Sequence, residues 1–360
     1  VNIFTERAKT LYKLHTERDL NAILIVSPEN VRYLTGFAHP HDAWAWVDAQ
    51  GITLLTGPLY ENELEGSPLP YRILKTRDWA EALKAIANGR IGFEADALSF
   101  AQYRRLQAAW PAELVPLEDP LSPLRIRKSS EEVESIATAA RIADQALAEV
   151  LPMLKPGTSE RDIALALECS MKRLGAEGAA FDIIVASGER GAYPHAEASE
   201  RRLAEGELVT IDWGATYRGY HSDATRTYAL GEPPEPLAQI LRAVSEAEAA
   251  ALEAVRPGIK GSELDALARQ VLASYGLEDR FIHALGHGVG LAVHEGPRLG
   301  RGDAGVLEPG MVITIEPGVY VPGVGGARVE DLVLVTEEGH RVLTQAPRAL
   351  AGDLSSRSRP

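Results

Sequence analysis

The chain has 360 residues, 45% of them hydrophobic and 24% charged, enough for two domains with a core each. A formal net charge of −14 argues against nucleic-acid binding, which needs a surplus of Lys and Arg to neutralise phosphates. The single cysteine allows no intramolecular disulfide and suits a reducing, cytoplasmic setting, and no apolar run approaches the roughly 20 residues of a membrane span.

The N-terminal stretch VNIFTERAKTLYKLHTERDL is charged throughout and predicts an amphipathic helix rather than a secretory leader. Up to about residue 120, strand-like runs (22–26, 52–55, 71–74, 90–93) alternate with helical ones (78–87, 98–110), an α/β pattern without a glycine-rich phosphate loop. Within it, His39, His41 and Asp42 share a proline-containing loop, where they are either metal ligands or ordinary solvated residues. Pro116, Pro120, Ser122 and Pro123 mark a domain boundary, giving a first domain over 1–122, a second over 123–352 and a flexible tail over 353–360. The basic run RIRKSS at 125–130 reads as a linker, and SSEEVESIATAARIADQAL after it as a serine-capped helix. Cys169 falls in a helical pattern and is expected in the core.

Beyond the boundary the chain repeats itself. Met153-Leu154-Lys155-Pro156-Gly157 resembles Ala254-Val255-Arg256-Pro257-Gly258, and each is followed by an acid (Asp162, Glu263), an apolar-periodic helix and a glycine (Gly175, Gly276), at an offset of 101. A phenylalanine (Phe181, Phe281) then precedes a run ending in a histidine (His195, His294), and a strand ending in Asp212 is echoed by one ending in Glu316. The shared order predicts a duplicated domain whose two acid-bearing hairpins meet at one centre.

Each hairpin carries two acids. A reversal between Tyr217 and Arg218 would set Asp212 opposite Asp223, and one at Gly323 would set Glu316 opposite Glu330. Facing like charges need a cation between them, an Arg, a Lys or a metal. Four buried acids in two related pairs favour metal. The run LGHGVGLAVHE adds His287 and His294, seven apart in a glycine-rich frame that no helix would keep, so the helical HEXXH zinc pattern is absent. In an extended frame this odd spacing aims the two rings at opposite faces unless a bend intervenes, which suits one ligand and one substrate-facing group.

The motifs DWGATYRGYHSDATRT, GHGVGLAVHE, EPGVY and GGARVED together resemble the pita-bread metallopeptidases, in their proline-directed branch of prolidases and aminopeptidases P. That resemblance implies an α/β creatinase-like N-terminal domain, serving dimerisation and partial cover of the active site, followed by an α+β pita-bread catalytic domain with a pseudo-two-fold repeat. It implies two divalent ions held by Asp212, Asp223, His287, Glu316 and Glu330, with manganese favoured by the hard donor set and cobalt or zinc able to bind. The implied reaction is hydrolysis of an Xaa-Pro bond by a metal-bridged hydroxide, with Glu316 moving the proton and His195 and His294 facing the substrate. Arg328 and Thr225 match positions that orient the ligands, and Arg298 matches one that holds a dipeptide's free carboxylate. His39 and Asp42 would close over the site from the partner in a homodimer. The substrate taken is a dipeptide with proline second; the alternative is an Xaa-Pro aminopeptidase acting on longer peptides. A metal-free, creatinase-like or non-catalytic relative would lack the full ligand set. One departure stands out: relatives usually carry a Pro-Asn pair in the loop leading to the first substrate histidine, and here that loop reads Ser187-Gly188-Glu189-Arg190-Gly191-Ala192-Tyr193-Pro194-His195.

Overall fold

The computed structural model of the protein describes residues 3–348, so the expected tail at 353–360 lies outside the described residues. The chain divides into two compact units, Val1–Arg125 and Ile126–Pro360, with the division three residues beyond the proline-rich boundary read from the sequence.

The first unit is built on a six-stranded mixed sheet of β1 (Ala22–Ile25), β2 (Ala43–Asp48), β3 (Gly51–Thr56), β4 (Tyr71–Ile73), β5 (Gly89–Glu94) and β6 (Ala112–Leu117), in the order β4-β3-β2-β1-β5-β6. The central strand β1 is buried along its whole length, as the unbroken run Ala22-Ile23-Leu24-Ile25 requires of a strand covered on both faces. Strands β2 and β6 were not expected from the sequence. In β2 the apolar run Ala43-Trp44-Ala45-Trp46-Val47 pairs antiparallel with both β1 and β3, and in β6 Pro116 sits on the sheet edge, where a missing N–H is tolerated. The N-terminal helix, Ile3–Leu14, buries Ala8 and Leu11 on one side, as its amphipathic pattern predicts.

In the second unit the repeat is visible in the element boundaries. The helix Glu160–Arg173 recurs 101 residues later as Gly261–Ser274. Each follows a longer helix, Ser130–Val150 in the first half and Glu235–Ala254 in the second. The first of these starts at the serine cap read from the sequence: Ser129 accepts from the Glu132 N–H, and the Glu132 side chain accepts in return from Ser129. Cys169 is exposed rather than in the core. The buried face of its helix runs through Ile163, Leu167, Ser170 and Met171, and Cys169 falls on the opposite side.

Against the helices lie the strands of the first half, β7 (Gly178–Ala179), β8 (Ile184–Ser187), β9 (Leu208–Trp213), β10 (Ala215–Tyr217), β11 (Tyr220–His221) and β12 (Ala224–Ala229). Those of the second half are β13 (Gly286–Gly288), β14 (Glu295–Leu299), β15 (Val312–Ile315), β16 (Gly318–Val321), β17 (Gly325–Arg328), β18 (Asp331–Val335) and β19 (His340–Val342). Each half has its own core. One gathers Ile142, Leu147, Ile163, Leu167, Val209 and Trp213, and the other Val244, Leu264, Leu272, Ile313, Val319 and Val333. Trp213 is fully buried and donates from Nε1 to Ala143 O at 2.9 Å, anchoring the strand that presents Asp212 to the helical layer. Among the described residues no helix is long and apolar enough to cross a membrane.

Candidate metal centre

The first acid-bearing hairpin turns one residue later than the sequence midpoint. Its reversal is at Arg218-Gly219, both at positive φ (51° and 74°), a two-residue turn whose twist matches the strands it joins. Asp212 therefore pairs with Thr225 across β9 and β12, not with Asp223. The register puts Asp223 two residues away on the same face, so the carboxylates are diagonal neighbours, and the expectation that they sit opposite each other is corrected. At that point the strand pair is irregular: a Cβ on Gly214 would lie 2.0 Å from Ser222 O, so only glycine admits the crossing.

The second hairpin keeps the register read from the sequence. Ile315 pairs with Asp331 in one ladder and Gly318 with Arg328 in the next, which leaves Glu316 and Glu330 facing each other at the junction. The two hairpins meet there: Thr225 and Glu330 form an isolated bridge, with Glu330 N donating to Thr225 O at 3.0 Å.

One cavity of about 1570 Å³ receives Asp212, Asp223, His287, Glu316 and Glu330 together with His195, His294, Arg298 and Arg328. One ligand atom from each of Asp223, His287 and Glu330 lies within 4.8 Å of the others. His287 Nε2 is 3.2 Å from Glu316 Oε1 and 3.6 Å from Asp223 Oδ2. Its Nδ1 lies 3.1 Å from Gly288 O, a carbonyl that can only accept, so Nδ1 carries a proton and Nε2 is the nitrogen turned to the acids. Against the cost of burial, Glu316 raises the pKa of the ring and favours a proton there too, a place that a bound cation would take. A register shift between His287 and Gly288 supplies the bend that brings the rings of His287 and His294 to 4.2 Å, centroid to centroid. Arg298 is the strand partner of His287 and lines the same cavity.

Around the acids the hydrogen bonds are specific. Arg328, buried, donates to Asp212 Oδ2 at 2.5 Å, to Thr225 Oγ1 at 3.1 Å and to Tyr320 Oη at 2.8 Å. Thr225 passes its own proton to Glu330 Oε2 at 2.6 Å, and Thr314 donates to Glu316 Oε1 at 3.2 Å. The sequence reading missed Tyr320 and His283. Tyr320 Oη is 3.0 Å from His283 Nε2, and His283 Nδ1 is 2.8 Å from Ala284 O, so Arg328, Tyr320 and His283 form one chain of donors and acceptors beside the acids. Their spacing was the available signal, since Tyr320 lies an even number of strand positions after Glu316 and His283 four residues before His287.

Charge in this cluster is unbalanced. Burial, and then Glu330 and Asp212, push the Asp223 carboxyl well above its usual range, and burial with Glu316 does the same to Glu330. Asp212 is also raised by burial, against the pull of Arg328. Burial would raise Glu316 too, but the hydrogen bond and charge of His287 outweigh it and hold Glu316 low. Without further positive charge the four acids cannot all ionise. Asp212 Oδ1 is moreover buried with no hydrogen-bond partner. An orphaned carboxylate oxygen beside two protonation-prone acids and a basic imidazole nitrogen is what divalent cations would satisfy, and the residues present fit them.

Not every expected residue belongs to this cluster. His39 and Asp42 lie on the first unit, where His39 Nε2 is 3.3 Å from Glu63 and Tyr60 donates to Asp42 at 2.5 Å. The run read as a linker has a structural role that its composition does not betray. Lys128 is buried and pairs with Glu295 at 2.8 Å, directly after His294.

With the hairpins, the converging acids and the cavity in place, the class is defined: residues 134–337 match the model of metallopeptidase family M24, residues 7–127 match the creatinase/prolidase N-terminal domain, and the chain belongs to that metallopeptidase family. It is 41% identical over 348 residues to the Xaa-Pro dipeptidase of Pyrococcus furiosus, covering 96% of this chain and 99% of that one. Among solved structures it resembles an Xaa-Pro dipeptidase from Bacillus anthracis (TM-score 0.91, 36% identity, 96% and 99% of the two chains). It also resembles an X-Pro aminopeptidase from Thermotoga maritima (TM-score 0.87, 32% identity, 95% and 98%).

Proposed function

We propose that this protein hydrolyses the peptide bond between a first residue and a following proline, with dipeptides as its preferred substrates. The observation that carries the reading is the convergence of Asp212, Asp223, His287, Glu316 and Glu330 in one cavity beside two exposed histidines and Arg298. Near-complete coverage of relatives named Xaa-Pro dipeptidase supports the choice of substrate.

Those five residues would hold two divalent cations. Four carboxylates and one imidazole are a hard set that suits manganese, with cobalt or zinc as substitutes. Bound there, the ions supply Lewis-acid polarisation of the scissile carbonyl and lower the pKa of an attacking water. The remaining work falls to the chain. Glu316 Oε takes the proton released by the attacking water and delivers it to the proline nitrogen, which must be protonated to leave as an amine. His195 and His294, in the same cavity, donate to the oxygen on which negative charge develops. Burial, and then the neighbouring His287, hold the His294 imidazole below its ordinary pKa, so it is neutral at pH 7 and acts as a hydrogen-bond donor rather than a cation. Arg298, opposite His287 on the neighbouring strand, pairs with the free carboxylate of a dipeptide. Thr225 and Arg328 hold Glu330 and Asp212 in place.

A homodimer completes the reading, with the partner subunit's His39 and the partner subunit's Asp42 closing over the cavity, and a cytoplasmic location fits the lone cysteine. Cleavage of longer peptides is the second reading, favoured by a cavity of about 1570 Å³ and by likeness to an X-Pro aminopeptidase. Rates on Xaa-Pro and Xaa-Pro-Yaa peptides with Mn²⁺ separate the two. The dipeptidase reading expects the dipeptide to be strongly preferred, and equal or better cleavage of tripeptides would overturn it. Activity that survives exhaustive chelation would overturn the metal-dependent mechanism altogether.

A further inference from the structure

The loop between Ser187 and Ser199 carries His195 into the cavity, and Arg190 lies on it five residues before that histidine. Its conformation is fixed from outside the cavity by one carboxylate. Glu160 opens the helix Glu160–Arg173 and its side chain is fully buried. Glu160 Oε1 accepts from Ser187 N at 2.8 Å and from Ser187 Oγ at 2.7 Å. Glu160 Oε2 accepts from Ser199 N at 3.1 Å, from Ser199 Oγ at 2.6 Å and from Arg190 Nε at 3.1 Å. A single acid thus ties both ends of the loop and its middle. Arg190 extends the tie by donating from a terminal nitrogen to the carbonyl of Glu197, two residues beyond His195.

Neither Glu160 nor Arg190 is among the residues that line the cavity. With five donors on its two oxygens, Glu160 has no free capacity for a ligand, and a solvent-facing role is excluded by its burial. What remains is geometry. A buried, fully satisfied carboxylate holds its donors in one arrangement, and those donors bracket His195. The far side of the loop is pinned independently: a Cβ on Gly326 would lie 2.2 Å from Gly191 O, so the loop backbone runs in direct contact with β17, the strand that ends in Arg328.

We propose that Glu160 and Arg190 form a positioning clamp for His195, in which Arg190 braces the loop between the buried Glu160 carboxylate and the Glu197 carbonyl. The assignment rests on the reading of His195 as a substrate-facing group. Arg190 is a positioning residue: its guanidinium sets the stance of the loop, and His195 makes the contact.

The test uses the full-length, metal-loaded enzyme with Arg190→Ala, Arg190→Lys, Glu160→Gln and His195→Ala, and a double variant Arg190→Ala/His195→Ala. Arg190→Ala is expected to lower kcat and kcat/KM together by about tenfold or more on an Xaa-Pro dipeptide, as misplacement of a transition-state contact does. Its metal content should stay near the parent's, Arg190→Lys should recover part of the loss of activity, and Glu160→Gln should follow Arg190→Ala in direction. In the His195→Ala background Arg190→Ala should add less than about twofold, because it acts through the missing ring. Amide exchange should quicken in residues 188–199 of Arg190→Ala and remain unchanged elsewhere. Full activity of Arg190→Ala, or losses that multiply with His195→Ala, would overturn the clamp. If His195→Ala itself keeps full activity, the substrate-facing role of His195 falls instead, and exchange in 188–199 alone decides whether the clamp exists: unchanged protection refutes it.

Discussion

Replacing Thr225 with valine probes the support of the metal centre while leaving its ligands in place. Valine keeps the shape of threonine, so no cavity opens and the packing term largely cancels. Two buried hydrogen bonds are lost: the donation to Glu330 Oε2 at 2.6 Å and the acceptance from Arg328 Nε at 3.1 Å. A hydrogen bond to a charged group is worth about 1.5–3 kcal/mol, and partners behind a ligand typically account for roughly 10- to 100-fold in metal affinity. The expected result is therefore Mn²⁺ binding weakened by about 30-fold in a titration of chelator-stripped protein. Linkage gives a second readout. At a concentration of 100 times the parent Kd, metal stabilises the parent by about 2.7 kcal/mol, and a 30-fold weaker variant by only about 0.9 kcal/mol. The metal-induced rise in melting temperature should shrink accordingly, while Thr225→Ser, which keeps the hydroxyl, behaves like the parent. Undiminished Mn²⁺ affinity in Thr225→Val would refute the argument that Thr225 holds Glu330 for the ion.

Other perturbations follow from the same geometry. Asp223→Asn should abolish hydrolysis yet leave chelator-treated protein at least as stable as the parent, because it removes one of several mutually repelling buried charges; melting curves in chelator check this. Lys128→Met removes the buried ammonium from the largely buried Glu295 carboxylate and should cost about 3–5 kcal/mol in denaturant unfolding, much of which Glu295→Leu should restore in the double variant. Arg298→Ala should raise KM for Xaa-Pro dipeptides by roughly 10- to 100-fold and leave Xaa-Pro-Yaa peptides nearly unaffected; equal effects on both would detach Arg298 from the substrate carboxylate. Asp144 gives a pH signature away from the metal. Burial raises its carboxyl from 3.8 to about 6, so the folded state holds a proton that the unfolded chain has released. Its contribution to stability is present below the unfolded value and is lost as pH rises through about 6. Asp144→Asn should flatten that part of the stability profile, and an unaltered profile would contradict the shift.

Much of the site could be read before the fold was known, because a duplicated motif repeats its acids at repeated positions. The 101-residue offset between the helices at 160–173 and 261–274, and the pairing of Glu316 with Glu330, both survive in three dimensions. The first hairpin's register did not follow from the midpoint of its acids, since the turn falls at Arg218-Gly219, one residue later, and sets Asp212 opposite Thr225 rather than Asp223. Cys169 was misplaced because a helical run of Ala and Leu does not itself say which side is buried. Lys128 and Glu160 escaped for a different reason. Their partners lie 167 and up to 39 residues away, and a charged residue next to a serine-rich cap looks like solvent-facing polarity until the fold closes around it. His283 and Tyr320 line the same cavity and join the acids through a hydrogen bond to each other across 37 residues and through Arg328, which donates to Tyr320 Oη.

The bridge between Thr225 and Glu330 marks a seam between two halves that each possess a core of their own. Under the proposed ligand set the two sides of it would share the ions, with Asp223 and Glu330 separated by 107 positions in the chain. An ion held by both acts as a removable cross-link that closes a loop of that length. In the chain-entropy picture a permanent link over about 100 residues is worth about 4.7 kcal/mol, and a metal that dissociates supplies the constraint only while it is bound. Chelation should therefore loosen the seam before it melts either half, and limited proteolysis of metal-free protein should cut first in the connections between the halves. Catalytic ions and architectural staples would then be the same atoms.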